Sequence, residues 1–258
     1  MAKSHQGRVF VPRNGLLRAE QAAWKCIERC CAKLELHGPP MPIPIDEWIE
    51  TALDIRFGVG DLSHLGDDVL GAAFVRDREI LVSERILEHN GRFRFTCAHE
   101  LGHVLLHQKH AAVFHETREL PHLEATKLER QADRFAAAIL MPLNLMEQTI
   151  LAICDEEQLD LEFCLTEMMM PTVESEWLWR AIFLPRLTRQ FGVSKTAAVI
   201  RCGDLRLISD PSRSFLPLRF RDRLLERATD LNLRLIRIIG GRPAVISHTA
   251  ERKTYTGG

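Results

Sequence analysis

The chain has 258 residues, of which 46% are hydrophobic and 27% charged, which is typical of a soluble globular protein with a sizeable core. It contains no apolar run of the roughly 20 residues that a membrane-spanning helix needs, and its first residues lack the apolar stretch of a secretory signal. With a formal net charge of −1, this composition excludes a membrane-embedded class and predicts a cytoplasmic protein without membrane partners.

Two helices are predicted near the start of the chain, after a tail over residues 1–15. Residues 16–36 show helical spacing of apolar side chains and end at a His-Gly-Pro-Pro breaker, residues 37–40. Residues 45–54 form the second predicted helix, with Asp46 as its N-cap.

A hairpin and two longer helices follow. Residues 68–84 are rich in β-forming side chains on both sides of Arg76 and Asp77, which predicts two antiparallel strands joined by a tight turn. Residues 92–108 and 123–140 are predicted helices, and the second must end before Pro142 because proline disfavours helix in the residue before it.

The second half of the chain is divided by charge. Residues 151–179 hold eight acidic side chains and no Lys or Arg, and no role is assigned to this segment. Residues 186–208 then read as helix, turn, helix, with the turn over residues 191–194 and Ser194 as cap of the second helix. A helix over residues 218–231 and two short strands, residues 233–239 and 244–247, complete the predicted elements.

Basic residues concentrate in the C-terminal part. Residues 181–258 contain 15 Lys and Arg against six Asp and Glu, a net charge of +9, so the first 180 residues carry −10. This asymmetry favours an acidic partner, either nucleic acid or an acidic protein surface. The competing interpretation is that the arginines are solvated or paired with Asp222, Glu226 and Asp230.

The cysteines are odd in number and scattered, in a chain too long to need disulfide bonds for stability. We therefore predict reduced thiols, and we interpret Cys97 as a small buried apolar residue rather than a redox-sensitive thiol. The seven are Cys26, Cys30, Cys31, Cys97, Cys154, Cys164 and Cys202.

The chemistry is concentrated in an HExxH motif, His99-Glu100-Leu101-Gly102-His103. Residues four apart lie on one helix face and about 6 Å apart along its axis, so His99 and His103 can bind one ion. Zinc suits imidazole nitrogen, and a catalytic zinc site has three protein ligands and one open position. Glu100 is the predicted general base. The helix is otherwise apolar, where unpartnered polar groups would be costly.

The third ligand must come from another part of the chain. Metzincins place it six residues after the second histidine, but that position is Lys109, so this class is excluded. His107 is about 12 Å along the helix axis from His99, too far to share an ion with it. We interpret His107 and His110 as residues of the helix end.

Glu129, early in the next predicted helix, is the better candidate for the third ligand. The small residues Ala132, Ala136 and Ala137 allow that helix to lie close to the HExxH helix, as a shared ion requires. Asp133, one turn after Glu129, can accept the outer N–H of a ligating histidine and so set its tautomer. The alternative for Asp133 is a surface salt bridge with a neighbouring arginine.

These segments resemble the ImmA/IrrE family of metallopeptidases. The resemblance rests on RFTCAHELGHVLLH (residues 94–107) and ERQADRFAAAILMP (residues 129–142), and extends over about residues 16–208. It implies a gluzincin-like α+β fold that is mainly helical with a small antiparallel sheet. It also implies Zn²⁺ held by His99, His103 and Glu129, with Glu100 as catalytic base.

The resemblance further implies a protein substrate, a helix-turn-helix repressor whose cleavage releases stress-response or mobile-element genes. The expected alternative is a regulator that binds DNA or a repressor through the helix-turn-helix-like segment, with a non-catalytic zinc site; nucleic acid is otherwise a secondary partner. The group that stabilises the oxyanion stays open among Tyr255, His115, Arg118 and His122.

The predicted organisation has five parts. They are the tail (1–15), a zinc metallopeptidase domain (16–150), an acidic connecting segment (151–180), the helix-turn-helix-like segment (181–210) and a short basic α/β C-terminal region (211–258).

Overall fold

The computed structural model describes residues 16–109, 122–170, 172–205, 207, 235–239 and 242–246. Two compact units divide the chain, the first ending at Asn144 and the second beginning at Leu145. The described part is mainly helical with a small sheet in the first unit, so the predicted α+β class is confirmed.

Four helices build the first unit. They are α1 (Leu16–Lys33), α2 (Ile45–Thr51), α3 (Asn90–Leu106) and α4 (His122–Leu140). In α1 the buried residues Ala19, Ala23, Ile27 and Cys30 recur at intervals of three and four, which gives the helix one apolar face. α1 packs against α4, and α3 packs against α4, α2 and the sheet.

Three strands form the sheet of the first unit, in the order β1-β3-β2. They are β1 (Arg56–Gly60), β2 (Gly71–Phe74) and β3 (Glu79–Ser83). β2 and β3 pair antiparallel, so the predicted hairpin is confirmed. The sheet is nevertheless mixed rather than purely antiparallel, because β1 pairs parallel to β3. Strand β1 was not predicted from the sequence, because two glycines among its five residues weaken the strand pattern.

The predicted N-cap of α2 is wrong. The helix begins at Ile45 with Pro44 as the capping residue, so Asp46 lies inside the first turn. A carboxylate in the first turn still interacts favourably with the helix dipole. Ile45, Trp48 and Ile49 are buried, and burial of each such side chain contributes about 1.5–3 kcal/mol.

Close contact between α3 and α4 depends on Gly102. A Cβ atom at this position would lie 3.2 Å from Ala132 Cα and 3.2 Å from Phe135 Cδ1. Such contacts are tighter than van der Waals packing accommodates without a shift of the neighbours. The absence of a side chain at Gly102 thus lets α4 lie against the HExxH segment of α3.

Helices also dominate the second unit. They are α5 (Leu143–Glu156, which begins just before the unit boundary), α6 (Leu161–Glu167), α7 (Val173–Trp177), a π-helical segment (Leu178–Phe183), α8 (Leu184–Phe191) and α9 (Lys195–Asp204). Strands β4 (Leu235–Ile239) and β5 (Arg242–Ile246) form an antiparallel pair, so the two strands predicted near the C-terminus are present with slightly different bounds. The predicted helix over residues 218–231 lies outside the described residues.

Two consecutive helices, α8 and α9, occupy the residues of the predicted helix-turn-helix-like segment. Gly192 ends α8 with a left-handed backbone, φ 60° and ψ 40°, which favours glycine. Ser194 caps α9 by accepting a hydrogen bond from the Ala197 N–H at 3.1 Å, as predicted.

Several acidic side chains of residues 151–179 have local structural partners. Glu156 and Glu157 both pair with Arg186, and Glu176 pairs with Arg180. Asp160 caps α6 by accepting from the Phe163 N–H at 2.7 Å. The three candidate partners of the arginines, Asp222, Glu226 and Asp230, lie outside the described residues.

All seven cysteines are free and buried, in agreement with the prediction of reduced thiols. Cys97 is fully buried, and burial raises the pKa of its thiol, which suits an inert packing role. Among the described residues no single helix is long and apolar enough to cross a membrane. Only Lys127–Leu140 and Leu143–Glu156, taken together as a bent pair, meet the length and composition that a span needs.

Candidate metal centre

His99 and His103 lie one helical turn apart on the same face of α3. Their Nε2 atoms are 3.0 Å apart, and the ring centroids are separated by 4.8 Å. His103 is almost fully buried, whereas the side chain of His99 is 17% exposed. The structure therefore directs both imidazoles to one point, as the spacing of the motif predicted.

Glu129 reaches the same point from α4. Its Oε2 atom lies 3.1 Å from His99 Nε2, and its Oε1 atom lies 3.6 Å from His103 Nε2. The ligand atoms of the three residues all lie within 4.8 Å of one another. Ligands held about 2.0–2.1 Å from a tetrahedral ion are about 3.3–3.4 Å apart, so the observed separations fit a single metal ion.

The pKa values of His99, Glu129 and His103 are shifted by burial and by contacts among these residues. Burial alone would lower the pKa of His99, but hydrogen bonds to Asp133 and Glu129 outweigh it and raise the pKa to about 10. For Glu129, burial is outweighed by hydrogen bonds from His103 and His99, which lower the pKa to about 2. His103 is the more buried histidine, and burial lowers its pKa. The raised pKa of His99 and the lowered pKa of Glu129 favour a hydrogen bond between the two side chains, at the point where a metal would bind.

Glu100 is buried beside the cluster. Burial raises its pKa to about 7, although the neighbouring His99 opposes the shift. A carboxylate with a pKa near neutrality is suited to take and return a proton. Glu100 is thus placed for the role that the motif predicted.

The position of Glu100 depends on a glycine in the sheet. A Cβ atom at Gly71, the first residue of β2, would lie 2.5 Å from Glu100 Oε1 and 2.7 Å from Thr96 Cγ2. Any other residue at this position would therefore displace the carboxylate. The sequence pattern offered no signal for this role, since the contact joins residues 29 positions apart in different elements.

Both predicted ligand histidines have a partner on the ring nitrogen that faces away from the cluster. Asp133 Oδ1 lies 3.0 Å from His99 Nδ1, which is the contact expected of it. His103 Nδ1 lies 3.0 Å from His107 Nδ1, and His107 Nε2 lies 3.2 Å from Gln131 Oε1. His107 does end α3, as its C-cap residue, but it is fully buried next to a predicted ligand.

A cleft of about 470 Å³ opens over the cluster. Residues 68–71 line one wall, and Arg92, Phe95 and Thr96 of α3 line another, with the predicted ligands and Glu100 between them. A cleft of this size accommodates an extended peptide segment or a small molecule. Of the candidate oxyanion residues, Tyr255, His115 and Arg118 lie outside the described residues, as does the side chain of His122.

A helix carrying HExxH, a glutamate from the next helix and a buried carboxylate at the edge of a cleft together define the class of HExxH metallopeptidases. The sequence comparison identifies the family within this class. The chain belongs to the Peptidase M78 family, whose profile, the IrrE N-terminal-like domain, matches residues 53–202. The resemblance to the ImmA/IrrE family is thereby confirmed.

Two further comparisons give little beyond the family. A Mycobacterium tuberculosis transcriptional regulator of solved structure matches 80% of this chain and 55% of its own, at 13% sequence identity and a TM-score of 0.44. The chain thus spans about half the length of that protein. No curated protein sequence matches the chain.

Proposed function

We propose that this chain is a zinc-dependent endopeptidase that cleaves a helix-turn-helix transcriptional repressor. The observation that carries the proposal is the convergence of His99, His103 and Glu129, whose ligand atoms lie within 4.8 Å of one another, beside the buried Glu100. Membership of a metallopeptidase family supports the same reaction class.

Zinc is the metal that this donor set favours. Two imidazoles and one carboxylate form a ligand set of catalytic zinc sites, with a fourth position open to water or substrate. Metal analysis of the purified protein should find about one zinc per chain. If another metal outcompetes zinc for this site, that metal would replace zinc in the proposal.

Glu100 carries the proton transfers of the proposed reaction. Zinc, when bound, would polarise the scissile carbonyl and acidify the attacking water. Glu100 accepts a proton from that water and then donates it to the leaving amine. Asp133 accepts the Nδ1 proton of His99 and so leaves Nε2 of that histidine free for the metal.

The edge of β2 offers a backbone site for an extended substrate. Leu70 O accepts a hydrogen bond from Ser83 N at 2.9 Å, so in this antiparallel pair the next residue, Gly71, directs its N–H and C=O away from β3. Gly71 also lines the cleft. A substrate strand can therefore pair with Gly71 while its scissile bond lies beside Glu100.

The choice of a helix-turn-helix repressor as substrate rests on the resemblance of residues 16–208 to the ImmA/IrrE family. Its cleavage would derepress stress-response or mobile-element genes. The decisive experiment incubates the protein with the repressor encoded beside its gene, with and without a chelator, and follows cleavage by mass spectrometry.

The matched variant is Glu100→Gln, which preserves the shape of the side chain but cannot accept a proton. Cleavage should fall by about 10²–10⁴-fold, with zinc content unchanged. The control is Glu88→Gln, at an exposed position just before α3, which should cleave normally. Undiminished cleavage by pure Glu100→Gln protein would contradict the mechanism, and repressor binding without cleavage by the wild type would favour a non-catalytic regulator.

A DNA-binding regulator is the second candidate, favoured by the exposed side chains of Arg189 and Lys195 on α8 and α9. Two other basic residues of that pair are less suited to phosphate contacts. Arg186 pairs with two glutamates, and Arg201 is only 1% exposed. Salt-dependent DNA binding by the Glu100→Gln protein would support this candidate, and no binding at low salt would remove it.

A further inference from the structure

Three histidines form a ladder along α3. His99, His103 and His107 follow one another at intervals of one turn, with ring centroids 4.8 Å and 5.0 Å apart. The first two point their Nε2 atoms at the proposed metal position, and the third contacts the far side of the second through the Nδ1 pair at 3.0 Å. His107 is fully buried, as is most of His103.

The requirement for a metal ligand determines where the protons of this ladder lie. His103 can bind a metal through Nε2 only if that atom carries a lone pair, so in the neutral ring the proton is on Nδ1. This N–H then donates to His107 Nδ1, which must itself be unprotonated. The proton of His107 is therefore on Nε2, where it donates to Gln131 Oε1 at 3.2 Å.

We propose that His107 and Gln131 are positioning residues that hold His103 in its metal-binding tautomer and orientation. The proposal rests on the metal site of the proposed function. His107 would support His103 in the way that the Asp133 carboxylate supports His99. The contact between His107 and Gln131 also links α3 to α4, in addition to the contacts made by Glu129.

Burial explains why the two histidines have different partners. The Asp133 side chain is 56% exposed, so its charge remains solvated. The side chain of His103 is only 2% exposed, and a carboxylate on its outer side would have to be desolvated at considerable cost. A neutral imidazole followed by a neutral amide supplies an acceptor to His103 Nδ1 without a buried charge.

The test measures zinc affinity directly, by competition with a chromophoric chelator. His107→Leu removes the acceptor and should weaken binding by about 10–100-fold, the usual loss when a ligand's supporting partner is removed. His107→Gln retains an acceptor oxygen and should recover most of the affinity. His89→Leu is the matched control, since His89 is exposed at the other end of the same helix and should bind zinc normally.

A second pair of variants isolates the amide. Gln131→Met removes the acceptor for His107 Nε2 and should weaken zinc binding less than His107→Leu does, whereas Gln131→Glu keeps an acceptor oxygen and should bind zinc at least as well as Gln131→Met. If the His107→Leu protein does not fold, the two Gln131 variants test the proposal instead. Wild-type zinc affinity in both His107→Leu and Gln131→Met would overturn the proposal.

Long-range ¹H–¹⁵N spectra of the histidine rings report the tautomers independently of activity. In the zinc-loaded protein we expect protonated Nδ1 on His103 and protonated Nε2 on His107. Protonated Nδ1 on His107 would overturn the proposal even if the zinc site itself stands. Failure of the wild-type protein to bind zinc would instead refute the proposed function.

Discussion

The α3–α4 and α8–α9 helix pairs contain the described polar residues on which the two candidate functions depend, but the environments of these residues differ. In the α3–α4 pair, histidines and carboxylates converge from both helices on one cleft. In the α8–α9 pair, Arg186 pairs with Glu156 and Glu157, and Arg201 is buried.

This contrast indicates that the residues suited to metal binding and catalysis lie in the α3–α4 pair. In the α3–α4 cluster, His99, with a pKa raised to about 10, lies next to Glu129, with a pKa lowered to about 2. Such paired shifts are typical of functional sites. The charges of the α8–α9 pair are in part neutralised by the acidic residues of the same unit, which is typical of structural ion pairs. We therefore expect substitutions in the first pair to affect metal binding and catalysis, and those in the second to affect stability slightly.

The largest expected effect is that of Gly102→Val. The branched side chain would collide with Ala132 and Phe135 and force α4 away from α3. We expect a loss of about 1–3 kcal/mol in the free energy of unfolding from overpacking. Because Glu129 moves with α4, zinc affinity should fall beyond the roughly 10–100-fold that loss of a supporting partner causes. Denaturant unfolding and chelator competition measure the two effects. Unchanged zinc binding would show that the helix contact does not set the site.

Gly71→Ala should leave zinc binding intact and slow the cleavage reaction. The added methyl displaces Glu100, and misplacement of a catalytic group by about 1 Å costs about 10²-fold in rate. We expect kcat for repressor cleavage to fall by about that factor, with KM and zinc affinity little changed. Gly60→Ala is the control, since its Cβ would have no neighbour within 4 Å. In a Glu100→Gln background, Gly71→Ala should have no further effect; an additive loss would argue against displacement of Glu100.

Zinc binding should depend on pH through His99. With a pKa of about 10, His99 carries a proton at pH 7 that the metal must displace, whereas Glu129 is already ionised. Calorimetry in buffers of different ionisation enthalpy should detect release of about one proton per zinc bound. Affinity should rise about tenfold per pH unit between about pH 7 and 9. Binding without proton release would contradict the charge state inferred for the metal-free site.

The same pKa shift affects stability with the opposite sign. A raised folded-state pKa stabilises the metal-free fold fully below the ordinary pKa of histidine, about 6.5. That contribution is lost as the pH rises through about 10. The metal-free protein should therefore lose stability between these pH values while its zinc affinity increases, which thermal unfolding at a series of pH values can follow.

The smallest expected effect is that of Arg186→Ala in the second helix pair. Its partly exposed ion pairs with Glu156 and Glu157 should contribute about 0–1 kcal/mol to stability. Zinc affinity and cleavage rate should not change. A substantial loss of cleavage would mean that the α8 surface takes part in substrate binding.

Whether a contact of the site could be predicted depended on how far apart its two residues lie in the sequence and on whether a local pattern links them. His99, Glu100 and His103 belong to one helical turn, so their relation follows from helix geometry alone. Glu129 was proposed because the next helix has small residues that permit a close approach. Gly71 could not be predicted, since its contact with Glu100 joins a strand to a helix. The parallel pairing of β1 with β3 was missed for the same reason, because no local pattern signals it.

From the sequence alone came helices α1 to α4, the β2–β3 hairpin, the helices α8 and α9 and the family, because these depend on local periodicity, caps and contiguous motifs. Tertiary structure alone decided the partners of the site. It placed Gly71 next to Glu100, and it buried His107 between His103 and Gln131. The reason is that helix geometry states which residues share a face, whereas burial and hydrogen-bond partners depend on which other element packs against that face.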